Sequence, residues 1–183
     1  MECYAIIKLK ASMLTMKEYW EKCCLIVMTG VRAGTNAAVV KETIDTERIA
    51  SLLPDPSVKT IFFEAGNDTN VEAWPKTITI PGIDQQIQTA FEAAFAGGAR
   101  KVAALFSLPE KLEKKQLEEA FMSLKILDFC VGPDHDGGIW LLGMNLPDFS
   151  VIAAQPWGQN TLNKAITKEI GAAKKVMYKL PRL

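Results

Sequence analysis

Asp134, His135 and Asp136 stand in a row and are followed at once by Gly137 and Gly138; no other stretch gathers residue types so suited to chemistry. Carboxylates two residues apart can ligate a divalent cation, or can accept hydrogen bonds from the hydroxyls of a sugar or ribose. The glycines have no Cβ, so the backbone can turn sharply there and a ligand can approach it closely. His135, the one histidine of the chain, could shuttle a proton near neutral pH; a lone turn histidine can equally be a solvated one. An acidic surface turn between two strands accounts for the same residues with no ligand at all, and both readings stay open on composition alone.

Two apolar runs must position these groups. Ile126–Val131 reads as a buried strand and Ile139–Leu142 as a second one, by length and mostly apolar character. A turn at the end of such a strand lies where open α/β sheets bind their ligands. Further strands are expected at Cys24–Met28, Val58–Phe63, Thr77–Ile80 and Lys101–Phe106, the two runs around the turn are bounded at Leu127–Val131 and Ile139–Gly143, and a last strand is expected at Lys175–Leu180. Helix periods fill the gaps. Ile83, Ile87, Ala90, Phe91, Ala94 and Phe95 recur at spacings of three and four over Ile83–Ala96, and Gly97-Gly98 then stops the helix. A second helix is expected from Pro109, presenting Leu117, Ala120, Phe121 and Leu124. A third presents Leu162, Ala165, Ile166 and Ile170, with Asn160 or Thr161 as its cap. Thr43–Leu53 makes a fourth, and Met16–Lys22 a short amphipathic one. Alternation of this kind argues for a mostly parallel sheet covered on both faces.

Outside the acidic turn, three residues invite a functional reading, each beside a structural one. Trp157, between Pro156 and a helix start, could stack on a base or sugar, or could pin the Asp148–Gln155 loop. Trp140 follows the glycines and reads as core. Ser107, two residues before Pro109, is expected to cap the following helix rather than act as a nucleophile, because no basic neighbour in sequence would activate it. The mixed run from Lys111 to Glu119 reads as an exposed helix surface.

Composition narrows the classes. The chain has 183 residues, enough for one domain over 1–183, with residues 1–22 as an N-terminal extension. Within it Tyr4–Leu9 has strand character and could be an added edge strand, an arm onto a partner chain, or an upstream translation product, since Met1, Met13 and Met16 could each begin a chain. With 21 basic and 21 acidic residues the formal charge is zero, which leaves no electrostatic footprint for nucleic acid or an anionic membrane. No apolar run nears the ~18 residues that span a bilayer. Lys8 and Lys10 follow the N-terminal apolar stretch instead of preceding it, so no secretory signal is expected. Cys3, Cys23, Cys24 and Cys130 lack CxxC spacing and read as free, mostly buried thiols of a cytoplasmic protein.

Gly132-Pro133, Asp136-Gly137-Gly138, the aromatic at 140, Leu142-Gly143 and Pro156-Trp157, in this order, resemble a bacterial family of uncharacterised GT-A-like proteins. Its members are described as glycosyltransferases and are similar to phospholactate and molybdenum-cofactor guanylyltransferases. The resemblance covers roughly residues 75–175, with the helix Ile83–Ala96 and the Gly97-Gly98-Ala99-Arg100 break. It implies a three-layer, Rossmann-like GT-A fold and a nucleotide-activated donor held with Mg²⁺ or Mn²⁺. Asp134-His135-Asp136 then spells the D-x-D pattern by which many nucleotide-sugar transferases hold a metal diphosphate. On the resemblance Asp136 is the candidate catalytic group, Asp134 with Asp136 the candidate metal ligands, and Gly137, Gly138, Trp157 and Arg32 the candidate substrate contacts.

Departures from the family pattern are as informative. Where complete members carry Pro-Gly-x-x-Lys-Thr-Arg after the first strand, this chain reads Thr29-Gly30-Val31-Arg32-Ala33-Gly34-Thr35-Asn36, with Arg32 its one cation. The family's Gly-Ser/Thr-Asp-x-Pro reads Leu105-Phe106-Ser107-Leu108-Pro109 here, a neutral hydroxyl in place of a carboxylate. Its Asp-Leu-Gly-x-Arg reads Asp84-Gln85-Gln86-Ile87-Gln88, without the Arg. Two classes of function follow: a catalytically impaired relative that binds a nucleotide-sugar, another small molecule or a partner, or an active metal-dependent glycosyl- or nucleotidyltransferase.

Overall fold

A computed structural model describes residues 16–29, 45–64 and 82–183. Arg32, the segment Tyr4–Leu9 and the expected strand Thr77–Ile80 lie outside the described residues.

Among these, six strands form one sheet: β1 (Cys23–Thr29), β2 (Lys59–Glu64), β3 (Lys101–Leu105), β4 (Phe129–Pro133), β5 (Ile139–Met144) and β6 (Met177–Lys179), in the order β2-β1-β3-β5-β4-β6. β1 pairs in parallel with β2 and β3, and β4 in parallel with β6, while β5 runs antiparallel between β3 and β4. Five strands therefore share one direction. β1, expected from its unbroken apolar run, is buried throughout from Cys23 to Met28, as a central parallel strand must be.

Successive side chains of a strand point to opposite faces, and each face carries its own core. Cys24, Ile26 and Met28 join Val102, Ala104, Phe129 and Val131 against α2 (Ile83–Ala96) and α4 (Leu162–Ala172). Cys23, Leu25 and Val27 join Ala103, Leu105, Cys130 and Trp140 against α1 (Thr46–Leu52) and α3 (Lys114–Ser123). Helices thus cover both faces, giving three layers. The apolar positions that specify α2, namely Ile87, Ala90, Phe91 and Ala94, are the ones it buries, and it ends with Gly97 as C-cap and Gly98 at φ +91°. A short helical segment over 16–20 precedes β1. Its Tyr19 hydroxyl donates to the Phe121 carbonyl while the Lys125 ammonium lies 4.3 Å above the ring, which ties the segment to the end of α3.

Three local expectations are corrected. The helix after Pro109 begins at Lys114, because the carbonyls of Pro109 and Glu110 accept from the Arg48 guanidinium and a turn closed by the Leu112 amide on the Pro109 carbonyl holds Leu112 in the core. Ser107 therefore caps no helix. Ile126, expected in a buried strand, is 84% exposed: residues 124–127 prolong the end of α3 as turns, with the amides of Ile126 and Leu127 both donating to the Ser123 carbonyl. β4 starts at Phe129 instead and runs through Gly132 into Pro133.

Candidate functional site

The last residues of β1, β2, β3 and β4 all lie at one edge of the sheet, because these strands run in the same direction. Asp134–Gly138 joins β4 to β5 at that edge. The loop is closed by its own backbone: the Asp134 amide donates to the Gly138 carbonyl at 3.0 Å. Its acids brace it further. One Asp134 oxygen accepts from the His135 amide at 2.6 Å, and one Asp136 oxygen accepts from the Gly138 amide at 3.0 Å. Asp136 and His135 are exposed, Asp134 is half-buried and Gly138 is buried. The two carboxylates thus share one tight turn, each with one oxygen engaged in holding it.

A second layer fixes the turn to α4. Gly137 sits at φ +89°, and a Cβ there would come 2.0 Å from the Asn160 carbonyl oxygen. Its own carbonyl accepts from the Asn163 amide at 3.0 Å, so the first turn of α4 gives one of its unsatisfied N–H groups to the acidic loop. The N-cap of α4 is Thr161, whose side chain makes no capping bond.

Trp157 packs beside Phe106, the residue that follows β3. Its indole N–H donates to the Ile152 carbonyl at 3.0 Å, and its ring lies 5.5 Å from that of Phe106. It is half-buried and pins the 148–155 loop. Trp140, by contrast, is wholly buried, and a Cβ on Gly132 would lie 2.4 Å from its ring; its role is core packing. Ser107 follows Phe106, whose amide donates to the Trp140 carbonyl at 2.9 Å, and its hydroxyl is buried with no hydrogen-bond partner. Asp84 lies in the first turn of α2, whose N-cap is Gly82 at φ +91°.

Asn163 was not evident as a site residue. It is 6% exposed, and its Oδ1 is buried with no hydrogen-bond partner. The signal is legible in hindsight, for a polar residue occupies a position of the α4 stripe that Leu162, Ile166 and Ile170 make apolar.

Among the described residues no three His, Cys, Asp or Glu side chains come together as a metal site. Cys23, Cys24 and Cys130 are free and buried, and burial pushes each thiol up to about 12. No helix among the described residues is long and apolar enough to cross a membrane.

The sequence profile of the family described as "Uncharacterized protein conserved in bacteria (DUF2064)" matches residues 60–159. Among solved structures, the chain is similar to the crystal structure of a "putative nucleotide-diphospho-sugar transferase" from Desulfovibrio desulfuricans G20. The two share 18% identity over 88% of this chain and 80% of that chain, with a TM-score of 0.67. That likeness is one of fold, α/β and Rossmann-like. None of the curated proteins matches the chain.

Proposed function

The chain belongs to the DUF2064 family of proteins conserved in bacteria, and we propose that it binds a nucleotide-activated sugar or a related small molecule at the acidic-turn edge of its sheet while being impaired in transfer. The observation that carries this reading is Ser107. It stands just past the end of β3, where the family pattern has an acid, and its hydroxyl is buried and neutral. Mg²⁺ and Mn²⁺ favour carboxylate oxygen, and a departing diphosphate needs its charge neutralised. Asp134 and Asp136 each engage one oxygen in their own turn. Among the described residues, those at this edge do not fit a resident divalent ion.

Calorimetric titration with Mn²⁺, paired with turnover assays on UDP-glucose, GDP-mannose and ADP-glucose, tests the proposal. The wild-type chain should bind Mn²⁺ more weakly than micromolar and turn over none of the three. Micromolar affinity that disappears in Asp136→Ala, or metal-dependent turnover, would instead establish an active transferase. Ser107→Asp should improve metal binding more than turnover. One carboxylate recovers a ligand, but the segment after β1 still has Arg32 as its one cation. Each missing charge-assisted hydrogen bond is worth about 1.5–3 kcal/mol, so two or three cost on the order of a thousandfold in donor binding or rate.

A further inference from the structure

We infer that Asn163 and Ser107 are the specificity contacts of this edge, recognising hydroxyl groups of a sugar; the inference rests on the ligand-binding reading above. Four buried side-chain atoms among the described residues have no hydrogen-bond partner: Thr60 Oγ1, Ser107 Oγ, Asn145 Oδ1 and Asn163 Oδ1. An unpaired buried polar atom destabilises the fold and calls for a cause. Thr60 and Asn145 lie toward the opposite edge, at the start of β2 and just past the end of β5. Asn145 has a structural task there, its Nδ2 donating to the Leu127 carbonyl at 2.8 Å.

Ser107 and Asn163 remain, and they flank the same turn. The Phe106 amide on the Trp140 carbonyl continues the β3–β5 pairing, which brings Ser107 alongside the start of β5. The Asn163 amide bonds the Gly137 carbonyl. Side chains of a helix lean toward its N-terminus, so the Asn163 amide group leans toward the turn. Asn163 is more than nine-tenths buried, in a setting where a hydrogen bond is strengthened and an empty one is costly.

The chemistry of the set points to the ligand. Asn163 Oδ1 accepts, Ser107 Oγ accepts or donates, and the nearby carboxylates of Asp134 and Asp136 accept. None of them is a cation. Such a set complements the O–H donors of a neutral polyol and offers a phosphate no charged partner. The sugar of a sugar nucleotide, as opposed to its diphosphate, is the part that fits.

Calorimetry and thermal shift with UDP-glucose, GDP-mannose and ADP-glucose, each against UDP, GDP or ADP alone, decide the matter in wild type, Asn163→Leu and Ser107→Ala. Asn163→Leu keeps the number and branching of the side-chain heavy atoms and removes the unpaired oxygen, so the unliganded variant should melt at or above the wild-type temperature. It should bind the sugar nucleotide at least about tenfold more weakly, the loss of one buried hydrogen bond, with no change toward the diphosphate alone. Ser107→Ala should show the same selective loss, and it carries the comparison if Asn163→Leu does not fold. Wild-type affinity for the sugar nucleotide in both variants, or equal wild-type binding of sugar nucleotide and diphosphate, overturns this inference and leaves the ligand-binding reading standing. A lowered melting temperature with unchanged affinity makes Asn163 a packing residue and also overturns it. If wild type binds no member of the set, both fall together.

Discussion

Gly137 is the residue on which the geometry of the acidic turn depends most. Its φ of +89° is one that L side chains rarely adopt, and the Asn160 carbonyl fills the space a Cβ would need. Gly137→Ala should therefore cost about 2–4 kcal/mol, from backbone strain together with the collision, read as a drop in the urea midpoint. The glycine pair announced a turn in the sequence, but nothing in it distinguished Gly137, against which α4 is docked, from its buried neighbour Gly138. That distinction depends on a contact with Asn160, and such contacts are invisible before the chain folds. Asn163 was closer to legible, as a polar break in an apolar stripe. Arg32 lies outside the described residues. Cys3 lies outside the described residues; the other three thiols behave as their spacing implied, for Cys23, Cys24 and Cys130 are buried, and burial raises each of them. Only the thiolate is a nucleophile. In the native protein at pH 8 all three should resist iodoacetamide, and in denaturant all three should react, as peptide mapping by mass spectrometry would register. Labelling of any one in the native state would show that its strand opens.

At the scale of elements, boundaries followed from local signals where tertiary demands agreed with them. α2 runs Ile83–Ala96, the span its period and its two glycines defined. α3 did not start at its proline, because Arg48 of α1 takes the carbonyls of Pro109 and Glu110. A residue 61 positions away in sequence from Pro109 cannot be read from local propensity. The true start is marked by Gln116, whose Oε1 accepts from the Glu113 amide at 2.6 Å, half of a capping box. Gln116→Ala should destabilise the protein by about 0.5–2 kcal/mol, and Gln116→Glu should restore most of that; both are measurable by urea unfolding. The strand before the turn was misplaced by two residues for a different reason. A short apolar run such as Ile126–Val131 carries no period to separate turn from strand, and the end of α3 claimed its first two residues.

The whole molecule is a mostly parallel sheet with a helix layer on each face, as alternation of strand and helix signals implied. Strand order was not legible. That β5 reverses, however, could have been inferred, since 134–138 is far too short for a parallel crossover. Burying thiols of β1 and β4 in the two cores also makes the fold sensitive to alkali. The three thiols move from an ordinary value of 9.0 to about 12 on folding. A raised value leaves their contribution whole below pH 9, and it is lost as pH climbs from 9 toward 12, where the unfolded chain ionises first. Urea midpoints should be flat from pH 7 to about 9 on this account and fall beyond it, with a smaller fall in a variant carrying Cys130→Ala. On the acid side Asp55, held below its usual 3.8 by hydrogen bonds from Ser57, contributes above that pH and loses its effect as the pH drops through its lowered value.

The reversed strand β5 also bears on the order in which the molecule assembles. β4 and β5 meet across one five-residue loop (134–138), whereas β1 must find β3 in a register that pairs Cys23 with Lys101. Hairpins close in ~1–10 μs, and contacts between distant segments must first meet the entropy of a long loop. The acidic turn therefore forms early, as part of a hairpin onto which the parallel strands later condense. Substitution at the turn should then register in the rate of folding: Gly137→Ala is expected to slow refolding in stopped-flow measurements with a φ-value above about 0.5, while Val102→Ala, in the β1–β3 ladder, should act mainly by hastening unfolding. The loop that holds the candidate site would in that case also be the seed of the fold.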